Sequence, residues 1–272
     1  WNMKGVRKIM QVQTLLLFVL TFLFQLSFKA QTNDGITTSK DAVYGEPGLD
    51  ILYTHTVGYS VFAHTQGAGI NFRYGKYKTA KSSTSFAFDL FYTKHIKEEL
   101  TFNPYYPDVL PYNFGKLNSM FSSRFLIENR KEITPKLRHG AVQVGFLYRY
   151  GLNLGFLKPV YLEIGYPDLP YDHIITEPYN PEEHNYDDIY SRAPWINGLD
   201  ELSVVPGLHG GFGLSFEYGN ERGFTNSLEV GTYFDVYLSD MEIISNKFVE
   251  SNRIFAGLYI KIEMGSNWTD VR

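Results

Sequence analysis

The sequence predicts an all-β protein: a transmembrane, antiparallel, up-and-down β-barrel of about eight strands with long outer loops. The first observation is the stretch from Phe224 to Met264, where apolar residues alternate with polar residues, glycine and tyrosine. A side-chain period of two indicates β-strands, and the two alternating runs are each long enough, at about ten residues, to cross a bilayer when tilted. The second observation is an N-terminal export signal, and the third is the distribution of loop lengths.

The export signal favours a membrane barrel over a soluble β-sandwich, which has the same alternation with its apolar face turned inward. Lys4, Arg7 and Lys8 precede an apolar run at 14–28, as in a secretory signal peptide; we place it at residues 1–30, with cleavage after Ala30. A single membrane anchor is the rival interpretation, but the run is shorter than the ~20 residues of a spanning helix. We therefore expect the protein in the outer membrane of a Gram-negative bacterium.

The composition narrows the function classes. The chain contains no cysteine, which excludes a disulfide framework and a thiolate metal site. Its net charge is −4, and no basic field indicates a nucleic acid partner. We expect no cofactor and no metal. The expected partners are outer-membrane lipid and an envelope protein, and the oligomeric state stays open.

Eight strands are assigned in chain order. Residues 31–56 are predicted to be a periplasmic leader or a segment associated with the lumen, residues 57–265 the barrel, and residues 266–272 a C-terminal tail. A further pair of strands within 154–166 is the alternative for the strand count. The predicted strands are 59–64, 68–75, 85–92, 117–125, 141–150, 208–217, 228–238 and 254–264.

The links between these strands alternate in length. Links three (94–115), five (151–203) and seven (239–251) are long, whereas links two and six are short and link four (128–138) is moderate. Even-numbered barrels have long outer loops and short periplasmic turns, so the odd-numbered links are predicted to lie outside. Link one, the hairpin Thr65–Gln66–Gly67, is the exception.

Charged residues occur on the predicted inner face of the barrel. An eight-stranded barrel is just wide enough for side chains to fill its interior, and buried charges need partners. We therefore predict a plugged lumen held by ion pairs; a narrow porin-like channel is the alternative. The predicted lumen network is Arg73, Asp89, Arg124, Arg149, Glu217, Glu229, Asp235, Lys261 and Glu263.

A rim-located lipid or peptide hydrolase is a second alternative. His209, Ser215 and Glu217 share one face of one strand, but a spacing of six residues corresponds to ~20 Å along a strand. A nucleophile and its base must lie within hydrogen-bond reach. No catalytic residue is assigned, and the expected function is non-enzymatic.

Link five has an unusual composition, with ten acidic residues and one base, Arg192, between Glu163 and Glu201. Loops of this length are usually functional or disordered. One interpretation is a binding surface for a partner, a glycan or Ca²⁺, although the acids lack the EF-hand spacing; the other is a solvated acidic loop whose aromatic residues pack on the barrel rim. The predicted partner-binding residues are Glu177, Glu182, Glu183, Tyr186, Asp187, Asp188, Tyr190 and Trp195.

Four segments resemble recurrent stretches in a family of small outer-membrane proteins of Bacteroidota. They are Gly67–Gly75 (GAGINFRYG), Lys94–Glu98 (KHIKE), Gly155–Pro159 (GFLKP) and Val205–His209 (VPGLH). The resemblance runs over most of the chain after residue 30. It implies an eight-stranded type of outer-membrane barrel and an accessory subunit of an envelope machine, such as the barrel-assembly machinery or a secretion translocon. It carries no catalytic residues over to this chain.

Overall fold

The computed structural model describes residues 53–134, 142–166, 169–218 and 223–269. The predicted signal peptide (1–30) and nearly all of the predicted leader (31–56) lie outside the described residues. Within those four ranges, no helix is long and apolar enough to cross a membrane. The fold is all-β, as the sequence predicts.

Eight long strands form a closed antiparallel barrel, and five shorter strands lie in its links. In chain order the strands are β1 (His55–His64), β2 (Gly67–Thr79), β3 (Ser82–Thr93), β4 (Leu100–Thr101), β5 (Tyr112–Asn113), β6 (Asn118–Thr134), β7 (Gln143–Pro159), β8 (Tyr161–Tyr166), β9 (His173–Pro178), β10 (Ile189–Arg192), β11 (Ser203–Tyr218), β12 (Phe224–Met241) and β13 (Asn252–Trp268). The order around the barrel is β1-β2-β3-β6-β7-β11-β12-β13. The barrel closes where β1 pairs with β13, from His55 opposite Trp268 to His64 opposite Tyr259. Closure leaves no barrel strand with an unpaired edge.

The apolar face of the barrel points outward. Phe86 and Leu238 are 71% and 73% exposed, whereas Glu229 and Asp235 are 0% and 2% exposed. The same alternation runs along the eight barrel strands in the phase that the sequence predicts, although Ser123 on β6, predicted to face outward, is buried. A soluble sandwich would have buried the apolar residues, so that alternative is wrong.

Several strands extend beyond their predicted bounds. β6 continues to Thr134 and β7 to Pro159, so the prediction of a charged link from 128 is wrong. The charges of Glu128 and Arg130 suggested a loop, but both residues continue the inward phase of Arg124. Residues 154–159 belong to β7, so the further pair of barrel strands within 154–166 does not form. β13 reaches Trp268, past the predicted barrel end at 265.

The two ends of the barrel differ. At one end, here called the loop end, lie the hairpin at 65–66 and the links 94–117, 160–202 and 242–251. At the other, the turn end, β2, β6 and β11 end and β3, β7 and β12 begin. The long links therefore gather at one end, as predicted from their alternation, and link five begins at 160 rather than at 151.

Links three and five fold together above the loop end. β10, β8 and β9 form a three-stranded sheet in that order, β4 pairs with β5, and a short 3₁₀ helix spans Tyr186–Asp188. Their common apolar core is buried. It consists of Tyr112, Leu162, Ile164, Tyr179 and Ile189. Links three and five thus form one folded element with a shared core.

Candidate functional site

The lumen contains a layer of charges on the loop side, centred on Arg124. Its guanidinium donates to both carboxylate oxygens of Asp235 and lies 3.4 Å from Asp89. Asp235 also accepts from Asn153 at 2.8 Å and contacts His209 Nδ1 at 2.7 Å. Each of these five side chains is buried. The contacts satisfy the carboxylates that burial would otherwise destabilise.

A second layer lies nearer the turn end. Arg130 joins it from β6, with contacts of 3.2 Å to Glu128, 3.3 Å to Glu229 and 3.4 Å to Glu263. Lys261 lies 2.9 Å from Glu229. Because each carboxylate touches several cations, the charges form a network rather than separate pairs. Its members are Arg73, Glu128, Arg130, Arg149, Glu229, Lys261 and Glu263.

Eight of the nine predicted lumen residues therefore lie buried in these two layers. The ninth, Glu217, is half-buried and lines a small cavity at the turn end with Arg73 and Arg130. Sequence reasoning missed Glu128 and Arg130, which were assigned to a link. The signal that identifies them is the alternation along the strand: both lie an even number of residues from Met120 and Arg124, which face inward.

Tyrosines fill the remaining space against glycines. A Cβ on Gly213 would lie 2.6 Å from the Tyr259 hydroxyl, and a Cβ on Gly231 would lie at the same distance. Gly213 and Gly231 are directly opposite each other on β11 and β12. The missing side chains make room for the tyrosine, whose hydroxyl donates to Glu229 at 2.7 Å.

The loop end of the lumen is closed by an apolar layer. Link seven turns inward there, and Ile243 O accepts from Leu117 N at 2.9 Å. Ile243 and Ile244 pack with residues from β6, β7, β11, β12 and β13. The layer consists of Met120, Leu157, Val205, Tyr237, Met241, Ile243, Ile244 and Phe255. Side chains thus occupy the lumen at three successive levels.

Two buried histidines, His209 and His184, have no serine or threonine hydroxyl at either ring nitrogen among the described residues. His209 Nδ1 meets Asp235, but its Nε2 is enclosed and has no hydrogen-bond partner there. A triad requires a nucleophile at that nitrogen. His184 uses both ring nitrogens structurally, since Nδ1 accepts from Asn180 N and Nε2 faces Glu177.

The eight predicted partner-binding residues divide into three groups. Glu182, Glu183 and Asp187 are exposed at the surface of link five. Four others make contacts within the loop region: Glu177 accepts from Tyr166, Asp188 accepts from Asn185 N, Tyr186 donates to Phe102 O, and Tyr190 packs against Tyr106 and Tyr171. Trp195 is separate, because it packs on Phe121 at the barrel rim. Tyr186 and Trp195 are still 39% and 61% exposed, so five of the eight predicted residues lie at the surface.

The exposed edge of the loop sheet was not predicted. β9 is an outer strand of that sheet, and Ile174 and Ile175 are 45% and 44% exposed. An edge strand presents unpaired backbone groups that another chain can extend. The apolar edge and the exposed acids belong to the same link of the chain.

Hydrogen bonding tunes one side chain within this loop sheet. Tyr166 donates to Glu177 at 2.5 Å, and this bond raises the pKa of Tyr166 to about 12. Burial likewise raises the pKa of Tyr112 in the loop core. Both phenols are therefore neutral at any physiological pH, and Tyr166 is the one of the two that donates to a carboxylate here. Among the described residues, no group of three or more His, Asp or Glu side chains is placed to hold a metal ion.

Comparison with known proteins leaves the family open. No protein-family model matches this chain, and no curated protein matches it either. The resemblance to small outer-membrane proteins of Bacteroidota therefore stays a prediction.

Proposed function

We propose that this protein is a non-enzymatic outer-membrane β-barrel that docks an envelope protein through its loop end. The observation that carries the proposal is that apolar and charged side chains are placed opposite to their usual positions in a water-soluble protein. The outer wall of the barrel is apolar, and its buried charges are inside. Such a wall is stable in a bilayer, because apolar side chains that contact lipid are not exposed to water.

The plugged lumen supports a structural or accessory role. Two charged layers and an apolar layer occupy the interior. Removing one of the shared cations there would leave several buried carboxylates less well compensated. We therefore assign the function to the loop end, where link five forms the sheet β10-β8-β9 and link three packs against it.

The partner is expected to offer a strand edge and basic side chains. β9 supplies an open edge with two exposed isoleucines, and Glu183 and Asp187 supply exposed negative charge. Backbone pairing would provide affinity, and charge complementarity would provide orientation and a faster encounter. This is the chemistry of an envelope subunit that adds a strand to the sheet.

Membrane placement is tested by gel mobility of the outer-membrane fraction in mild detergent, with and without boiling. A closed, membrane-folded barrel should shift on boiling and should stay in the pellet after a carbonate wash. Release by carbonate without a mobility shift would show that the protein is not embedded in the membrane.

Docking is tested by placing a photo-crosslinking residue at Ile175 in cells. The matched control is Ile96, an isoleucine at the same end that is 84% exposed. A discrete adduct is expected from position 175 and not from 96, and the charge reversal Glu183→Lys with Asp187→Lys should reduce it. Adducts of equal yield from both positions would contradict docking on β9.

A further inference from the structure

A cavity of about 520 Å³ lies on the outer side of the barrel wall at the loop end. Its wall includes Tyr92 on β3 and Phe121 on β6, which are directly opposite each other. Link five covers it with Pro194 and Trp195, and link three with Tyr112. The cavity is separate from the lumen and from the β9 edge.

The charge of this cavity is opposite to that of the loop around it. Three cations line it, Lys116, Lys158 and Arg192, and no acidic residue of the described part of the chain lines it. Arg192 is the one base between Glu163 and Glu201, where ten residues are acids. The fold therefore brings three positively charged side chains together in a loop region that is otherwise acidic.

Lys158 is the central cation. It faces the outer side of β7 and is 3% exposed. Its ammonium donates to the carbonyl oxygens of Pro159 at 3.0 Å and Asn197 at 2.7 Å, and it lies 5.7 Å from the Trp195 ring centre. These partners are neutral, so the charge keeps the capacity to attract an anion. Lys116, in contrast, is neutralised by Glu98 at 2.7 Å.

The aromatic residues place the cavity at the boundary of the apolar wall. Tyr92, Phe121 and Trp195 form a continuous row, with ring centres 5.1 Å and 5.8 Å apart. Aromatic rows beside cations mark the level of lipid headgroups in membrane proteins. An anion in this cavity would stand directly above acyl chains packed on the outer wall.

We propose that this rim cavity binds the phosphate-bearing headgroup of an anionic membrane lipid. Lys158 and Arg192 contact the phosphate, and Trp195 covers the headgroup. The inference rests on the proposed membrane placement. It goes beyond the proposed docking function, because the lipid would brace links three and five against the barrel wall.

The test is native mass spectrometry of the purified protein in dodecyl maltoside, titrated with dioleoyl phosphatidylglycerol or with dioleoyl phosphatidylcholine. The anionic lipid should bind more tightly. Lys158→Met should weaken its binding about tenfold, the scale of a lost charged hydrogen bond. Arg192→Gln, at an exposed side chain with little risk to folding, should weaken it severalfold. Lys97→Met, an exposed lysine of link three, is the charge-matched control and should change nothing.

Three outcomes would overturn the proposal: equal binding of the two lipids, wild-type affinity in both cavity variants, or full displacement of the lipid by millimolar inorganic phosphate. The last outcome would make the cavity a site for a free anion. Equal binding by a protein that resists carbonate extraction would contradict the lipid site and leave the membrane barrel standing.

Discussion

Arg124 and Asp235 join β6 to β12 across the lumen, although they are 111 residues apart in the chain. The guanidinium approaches both carboxylate oxygens, with Nε 3.2 Å from Oδ1. The side chains are 4% and 2% exposed. The pair therefore links opposite parts of the barrel in a place that water does not reach.

Replacing Arg124 with methionine should destabilise the barrel strongly. The substitution leaves Asp235 and Asp89 without their cation, and an uncompensated buried charge costs about 3–5 kcal/mol. The measurement is the urea midpoint of the protein folded into lipid vesicles. The control is Arg253→Met, which removes an exposed pair with Asp240 and should leave the midpoint unchanged. Equal midpoints for wild type and Arg124→Met would show that the pair is not needed for stability.

Two glycines on β11 should respond differently to alanine. A Cβ at Gly213 would meet Tyr259 Oη at 2.6 Å and Val230 O at 2.7 Å, so Gly213→Ala should cost about 1–3 kcal/mol through overpacking. A Cβ at Gly210 meets no atom of the described residues within 4 Å, and Gly210→Ala should be neutral or stabilising by about 0.4–1 kcal/mol. The same vesicle unfolding assay separates them. A larger loss for Gly210→Ala would contradict the packing of Tyr259 against the wall.

The lumen should not conduct ions. Its charged layers are paired, and the apolar layer around Tyr237 and Met241 closes the loop end. Planar bilayers containing the wild-type protein should therefore show no stepwise current. Glu128→Gln, which alters the turn-side layer, should also be silent. Steps in the wild type whose ion selectivity changes in Glu128→Gln would instead establish the channel alternative.

The hydrogen bond from Tyr166 to Glu177 should make the loop sheet sensitive to alkali. Because the pKa of Tyr166 is raised from 10.0 to about 12, the neutral phenol is favoured in the folded loop. The stabilisation is complete below pH 10 and is lost as the pH rises through about 12. Absorbance titration at 295 nm of wild type against Tyr166→Phe isolates this phenol.

In a Glu177→Gln background, the same difference titration should give a Tyr166 pKa that is closer to 10, because the carboxylate acceptor is gone. Glu182→Gln is the control, since Glu182 pairs with Lys247 rather than with Tyr166. An unchanged curve in Glu177→Gln would mean that the bond does not set the pKa.

The sequence predicts the barrel strands well because period two directly assigns each residue to a face. The inward set Arg73, Asp89, Arg124 and Asp235 follows from that alternation alone. The prediction failed at Glu128 and Arg130, because their charges were interpreted as signs of a loop. Local composition does not distinguish a charged residue in water from one, such as Glu128, that has partners on three other strands.

The loop end could not be predicted in the same way. Ten acids suggested one binding surface, but Glu177 and Asp188 are used within the loop, and Trp195 belongs to the rim. Their contacts with residues such as Tyr166 and Phe121 depend on how links three and five fold over each other, and no sequence period reports this.

The sequence by itself determined the all-β class, the faces of the strands, the long links and the polar interior, because these depend on neighbours one or two residues apart. Only the tertiary structure decided which charges pair, which glycines leave room for Tyr259, and which cations line the cavity beside Trp195. Those contacts join residues that are far apart in the chain, and their distances exist only once the sheet has closed in one register.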